Sequence, residues 1–231
     1  MDFNSKYKQM VRYVLDNGHY QECRNGEQII VPNYSFTVNW KDWRLDLRKM
    51  WYKGVFGEFK TLISKEPLTN VSQFEANGCN YWKDWADPDG SLNLDYYNKL
   101  HPQLEDVIEN IKIDPNSRRH VIDLWQHENV QGNKLSLPVC WFNLIFTVIG
   151  DEIHLTWTQR SGDLCLGIPS DVYLGHLFLD YVARKTGFIP ATMTFNIANL
   201  HIYTDHLENA KALLKRTTAD WNRPLKFELK A

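Results

Sequence analysis

The sequence predicts a single α+β domain in which strands and helices are mixed rather than strictly alternating. Three observations carry that reading. The 231 residues, 43% hydrophobic and 23% charged, suit one large domain or at most two small ones, and no repeat, low-complexity run or linker divides them. Two period-2 stretches, Trp141–Val148 and Ile153–Thr158, flank Gly150-Asp151 as a hairpin would. The segment 171–186 is the most apolar helical pattern, with Val172, Leu174, Leu177, Phe178, Tyr181 and Val182 ahead of Gly187, so it must be the central buried helix.

The remaining elements follow in order. Residues 3–17 space Tyr7, Met10, Val11, Val14 and Leu15 on one helical face, with Asn17-Gly18 as the stop. A turn over Gln21–Gly26, through Arg24, leads to a strand at Gln28-Ile-Ile-Val that Pro32 is expected to close, and Tyr34–Trp40 alternates again. Residues 43–64 read as the first long helix, striped by Leu47, Met50, Trp51, Val55, Phe59 and Leu62. A short helix near 71–77, a Trp82-x-x-Trp85 turn and a helix from Pro102 to Ile111, stopped by Asp114-Pro115, come next. His120–Trp125 reads as a strand and 126–136 as a polar loop. Thr192–Leu200 and Leu225–Leu229 read as strands around an amphipathic helix near 205–215.

Charge and cysteines narrow the function. A net charge of −2 exerts no global pull toward nucleic acid or an anionic membrane, so any anion site must be a local arginine cluster. The cysteines at 23, 79, 140 and 165 lack metal-ligand spacing and form no disulfide framework, so no metal is expected. No apolar leader or membrane-length run is present, which leads to the expectation of a cytoplasmic protein.

Several residues invite two readings each. Glu58, among apolar neighbours, is either on a solvated flank or buried with a raised pKa and fit for proton transfer. Trp82 and Trp85 either seal the core or form a stacking wall. Arg118-Arg119 is either an exposed turn or a phosphate fork. Cys140 is either a packing residue or a nucleophile next to Arg160.

From Leu-Pro-Val-Cys140 onward the sequence resembles the thymidylate synthase family. The matching pieces run in order: Arg24 in the phosphate loop, Glu58, Trp82-Lys-Asp-Trp85, Tyr96, Asp114-Pro-Asn-Ser-Arg118-Arg119, Cys140, Gln159-Arg160-Ser161-Gly-Asp163-Leu-Cys-Leu166-Gly167-Ile-Pro, and His201-Ile-Tyr203. The resemblance implies a mixed sheet packed by a central helix and a sheet-to-sheet homodimer in which Arg118 and Arg119 serve the other subunit's site. There they would join Arg24, Arg160 and Ser161 around a 5′-phosphate. It also implies Gln159, His201 and Tyr203 on the nucleotide, the last two at the sugar 3′-hydroxyl. Trp82, Trp85, Asp163, Leu166 and Gly167 would lie along 5,10-methylenetetrahydrofolate, and no nucleic acid is required.

Three departures shape the expected reaction. The family's base-reading asparagine aligns with Asp171, an acceptor when ionised and so suited to the cytosine amino group. Asp171 also reads as the N-cap of the central helix, but asparagine caps equally well. Trp141 stands where synthases carry histidine beside the nucleophile, which fits a remodelled C4 side. The sequence stops soon after its last expected strand, without the tail that closes over the folate. Together these resemble the phage-type deoxycytidylate hydroxymethylase branch. The expected chemistry has a Cys140 thiolate, its pKa lowered by Arg160, adding to C6 of dCMP. Glu58 relays protons, Tyr96 orders water or removes the C5 proton, Asp171 holds N3 and N4, and water completes 5-hydroxymethyl-dCMP. Methylation of dCMP or dUMP, CMP as substrate, and an inactive nucleotide- or RNA-binding relative stay open at this level.

Overall fold

The computed structural model describes residues 2–132 and 135–227. Their elements are α1 (Phe3–Asn17), β1 (His19–Cys23), β2 (Gly26–Asn39), α2 (Tyr52–Leu62), α3 (Ser72–Ala76), α4 (Asp95–Asn98), α5 (Leu100–Ile113), β3 (Val121–Asp123), α6 (His127–Gln131), β4 (Trp141–Ile149), β5 (Glu152–Gln159), β6 (Gly162–Asp163), α7 (Gly167–Thr186), β7 (Ile189–Tyr203) and α8 (Leu207–Leu214). The strands form one mixed sheet in the order β1-β2-β7-β5-β4-β3, with β6 also on β7. β5 and β6 run parallel to β7, and the other pairs are antiparallel. This is the α+β arrangement that the alternation predicts.

Period-2 burial decides which face of the sheet meets the helices. Ile153, Leu155 and Trp157 of β5 and Met193, Phe195 and Ile197 of β7 all point into the core under α7. Phe36 of β2 stacks on Phe195 at 5.1 Å, and Trp157 meets Phe178 of α7. The opposite face is half-buried and carries small polar side chains, such as the Thr37–Thr194 hydroxyl pair at 2.9 Å and the His154–Thr192 pair at 2.7 Å. α7 ends at Gly187, whose φ of +86° is the left-handed cap conformation that glycine adopts without strain.

Six expectations need correction. Of the turn read over 21–26, residues 21–23 belong to β1, because they pair with Gly26–Gln28 of β2 in a hairpin. The helix read from residue 43 begins only at Tyr52. Residues 43–51 take partners elsewhere: the Leu45 N–H and C=O both bond the Tyr52 hydroxyl, and the Asp46 N–H bonds Asn4. Those tertiary bonds replace the intrahelical ladder despite the helical spacing. β2 does not close at Pro32; β1 covers β2 only as far as Ile30, so a residue with no N–H to offer sits where one side of the strand is free. Within 126–136, α6 replaces an unbroken loop.

The central helix opens at Gly167, not Asp171, because Pro169 lies in the first turn, where no N–H is needed. Asp171 is therefore inside the helix and caps nothing. Residues 225–227 are not a strand, and Glu228 and Leu229 lie outside the described residues.

α2 crosses the 77–79 segment so closely that a Cβ at Gly57 would lie 2.4 Å from the Asn77 carbonyl oxygen. This contact sets the position of the next residue, Glu58. Gly57→Ala is expected to cost about 1–3 kcal/mol through overpacking. It would appear as a lower urea midpoint at unchanged m-value, and an unaltered midpoint would contradict the close approach.

Candidate active site

A cavity of about 730 Å³ opens at the ends of β5, β6 and β7. Cys140 enters it from the segment before β4. Four successive carbonyls of that segment are held. The Tyr96 hydroxyl donates to Leu137 O at 2.8 Å, Arg160 donates to Pro138 O and Val139 O at 2.9 Å each, and the Arg160 backbone N–H donates to Cys140 O at 2.9 Å. The nucleophile segment is thus clamped by one tyrosine and one arginine. The same guanidinium reaches the Cys140 Sγ at 3.8 Å.

That proximity does not lower the thiol pKa as the sequence suggests. Burial pushes Cys140 up, Arg160 opposes it, and Asp171 adds to the rise. Desolvation of a thiolate outweighs one cation shared among several carbonyls. Tyr96 is also relocated in role: its hydroxyl donates to the Leu137 carbonyl, and it is buried outside the cavity lining.

Glu58 is buried. Trp82 Nε1–H donates to its Oε1 at 3.0 Å, and the Tyr81 hydroxyl donates to Oε2. Burial raises its pKa to about 7 against these two donors. Trp82 is consequently a core residue, stacked on Phe74 at 5.1 Å, whereas Trp85 lines the cavity. The Trp85 Nε1–H is buried without a partner among the described residues. Together with Asp163, Leu166 and Gly167 it forms a flat wall with a spare donor, which fits a polar aromatic co-substrate.

Asp171 also lines the cavity, with its Oδ2 accepting from Gln159 Nε2 at 3.3 Å. Its pKa is pushed up to about 8, first by burial and then by the charge of Glu58. Asp163 rises to about 6 by burial, although the Cys165 N–H donates to it at 2.8 Å. Asp163, Cys165 and His206 place ligand-type atoms within 4.8 Å of one another, but the buried Arg48 guanidinium lies against them and opposes a cation.

On the far wall, His201 Nδ1 meets Asn199 Oδ1 at 3.1 Å, while its buried Nε2 has no partner among the described residues. Burial lowers its pKa to about 4, so the ring is neutral. Tyr203 packs edge-on against it at 5.0 Å. Arg24 and Ser161 line the cavity with Arg160. Arg118 and Arg119 are exposed at the turn before β3, away from the cavity, with no side-chain bond or ion pair among the described residues.

Trp141 is buried between Trp157, at 4.6 Å, and Tyr97, and does not line the cavity. The structure adds Tyr81, Asn199 and Gln28. Tyr81 had a signal, one position from Trp82; the two polar strand residues had none beyond breaking an apolar face.

A cysteine whose segment is clamped by arginine shares a nucleotide-sized cavity with Asp163 and Asp171, an arrangement suited to group transfer. The thymidylate synthase family model matches residues 5–230, and the chain belongs to that family. Its class is therefore a folate-dependent one-carbon transferase acting at C5 of a pyrimidine nucleotide, with methylenetetrahydrofolate as co-substrate. No helix among the described residues is long and apolar enough to cross a membrane.

The buried carboxyls make stability pH-dependent. A carboxyl whose folded pKa lies above its unfolded value contributes stability that is complete below the unfolded pKa and is lost as pH rises through the folded one. For Glu58 near 7 and Asp171 near 8, that loss continues up to about pH 8. His201, lowered from 6.5, works oppositely only below about pH 6.5. Melting temperature is expected to fall from pH 6.5 to 8, and Asp171→Asn to flatten that fall. Thermal melts at half-unit steps check it, and an equally steep variant would contradict it.

Proposed function

We propose that the chain is a deoxycytidylate 5-hydroxymethyltransferase that converts dCMP, 5,10-methylenetetrahydrofolate and water to 5-hydroxymethyl-dCMP and tetrahydrofolate. The observation that carries this is Asp171, a carboxyl inside the cavity that caps no helix and bonds no cation. Its raised pKa makes the neutral acid available, and this sharpens the ionised-acceptor expectation. A neutral carboxyl offers one donor and one acceptor, the complement of cytosine N3 and its 4-amino group.

In this reading Cys140 gives up its proton as substrate binds and adds to C6, assisted by Arg160. Asp171 holds the N3–N4 edge while charge moves into the ring. The bound folate supplies the one-carbon unit to C5. Loss of the C5 proton to water held by Glu58, and departure of tetrahydrofolate with its amine nitrogen taking a proton, leave an exocyclic methylene, to which water adds as the Cys140–C6 bond breaks. Glu58, with a pKa about 7, exchanges protons with that water near neutrality. Tyr81 and Trp82 orient Glu58, and Tyr96 positions the nucleophile segment. His201 and Tyr203 take the sugar hydroxyl; Arg24, Arg160 and Ser161 take the phosphate; and Trp85, Asp163, Leu166 and Gly167 take the folate.

One chain brings only two of the expected arginines to the cavity, which supports a homodimer in which Arg118 and Arg119 complete the other subunit's phosphate site. The outer face of the sheet, where Thr37, Ile145 and Ile149 sit outside the core, is the surface offered for it. The reading also places the enzyme in the cytoplasm, with a nucleotide rather than a nucleic acid as substrate.

Mass spectrometry of the product from dCMP and methylenetetrahydrofolate tests the reaction. A hydroxymethyl product with tetrahydrofolate is expected, and a methyl product with dihydrofolate would sink it. Asp171→Asn should move the dCMP:dUMP ratio of kcat/KM toward dUMP by about 5- to 150-fold, the worth of one mispaired buried polar group. An unchanged ratio counts against Asp171 as the base reader. Shared sites predict complementation: mixing inactive Cys140→Ser dimers with inactive Arg118→Ala/Arg119→Ala dimers should restore roughly a quarter of activity for a two-fold dimer. No recovery after subunit exchange would remove the shared site.

A further inference from the structure

A neutral carboxyl opposite a pyrimidine is not selective by itself. Cytosine needs O–H toward N3 and C=O toward the 4-amino group. Uracil needs the same two groups exchanged, C=O toward N3–H and O–H toward O4. Which base is read therefore depends on which oxygen of Asp171 carries the proton, and something must break that symmetry.

Gln159 stands beside the carboxyl, fully buried. Its Nε2 donates to Ser161 O at 3.0 Å and to Asp171 Oδ2 at 3.3 Å. Its Oε1 accepts from the Trp157 indole N–H at 2.8 Å. Trp157 is itself fully buried, and its indole has one donor and no acceptor. It therefore admits only one orientation of the Gln159 amide: oxygen toward the indole, nitrogen toward Asp171. Flipping the amide would set two donors against each other in the core and lose two hydrogen bonds. Both amide hydrogens are engaged, so Gln159 has no donor left for the base. Expected on the nucleotide, it does not line the cavity and stands behind Asp171. Trp157 in turn is held by Trp141 at 4.6 Å and Phe195 at 5.7 Å.

We propose that Trp157 is a positioning residue for base selection, acting through Gln159 to make Asp171 Oδ2 the acceptor and Oδ1 the proton-bearing oxygen. This rests on the cytosine reading above and explains how that reading excludes uracil. The other ionisable groups facing Asp171 are Glu58 from α2, Asp163 from β6, Tyr97 from α4, and Cys140 with Arg160 at the nucleophile segment. None of them touches Gln159 in a way that orients its amide.

The test measures dCMP and dUMP dissociation constants by calorimetry for the wild type and for Trp157→Phe, which keeps a ring but removes the N–H. The two ligands share sugar and phosphate, so general damage weakens both, and only the base register moves their ratio. Trp157→Phe is expected to lower the dCMP:dUMP preference about tenfold, the worth of one buried hydrogen bond to an acid group. Trp141→Phe, an equal loss of ring volume with no N–H in the chain, should shift the ratio far less. Should Trp157→Phe fail to fold, Gln159→Glu, which removes the amide donor at constant size, is measured in its place and should lower the ratio likewise. A folded Trp157→Phe with an unchanged ratio, or one no different from Trp141→Phe, overturns the positioning role while leaving the cytosine reading intact. A wild type that prefers dUMP overturns both.

Discussion

Two carboxyl groups form one electrostatic compartment, Glu58 buried against Trp82 and Asp171 on the cavity wall, and much of the site follows from keeping both there. Burial raises the pKa of each, and the charge of Glu58 raises Asp171 further, so the neutral acid is favoured at both positions. A protonated carboxyl is a donor as well as an acceptor and needs oriented partners. Tyr81 and Trp82 supply two donors to Glu58, and Gln159 supplies one to Asp171. These partners come from distant parts of the chain, so the compartment exists only once α2, β5 and α7 have packed. The close approach of α2 at Gly57 and the aromatic layer under α7 are what bring them together.

Arg160 shows the complementary economy on the cationic side. With a nearly neutral chain, few guanidinium groups are available, and this one fixes two carbonyls of the nucleophile segment while lying 3.8 Å from the thiol. A guanidinium committed to those carbonyls in fixed geometry is pre-organised, which lowers the entropic cost of meeting an anion. It also leaves less charge for the phosphate. Arg24 is exposed and bonded to Asn25, so the anion site of a single chain is sparse. An enzyme built this way gains from receiving arginines across a two-fold interface. The Cys140 thiol of the free site stays protonated, because burial outweighs the field of Arg160.

The elements that sequence pattern reveals best are those whose faces differ most. β4, β5, β7 and α1 were legible because each has one apolar and one polar face, so residue period and structure coincide. Residues 43–51 were not, since their apolar spacing fits a helix while their backbone bonds go to Tyr52, Asn4 and Arg223. Pro32 reads as a terminator and is not one, because it lies where a strand edge is free, and the central helix starts ahead of Asp171 because Pro169 lies where a helix needs no donor. Trp82 and Trp85 were legible as a pair but not as different: their three-residue spacing cannot tell that one faces Glu58 and the other the cavity.

Taken alone, the amino-acid sequence determined the family and with it the class of one-carbon transfer. Leu-Pro-Val-Cys140, Gln159-Arg160-Ser161-Gly-Asp163 and Arg118-Arg119 are side-chain identities at fixed spacing, which a linear chain displays in full. It also determined that position 171 is a carboxyl rather than an amide. Only the tertiary structure decided what that carboxyl is: inside a helix rather than at its cap, half-buried at the cavity wall, raised toward the neutral acid by desolvation and by Glu58, and facing an amide locked by Trp157. Protonation state and hydrogen-bond direction depend on dielectric and on neighbours far apart in sequence, and those exist only after folding.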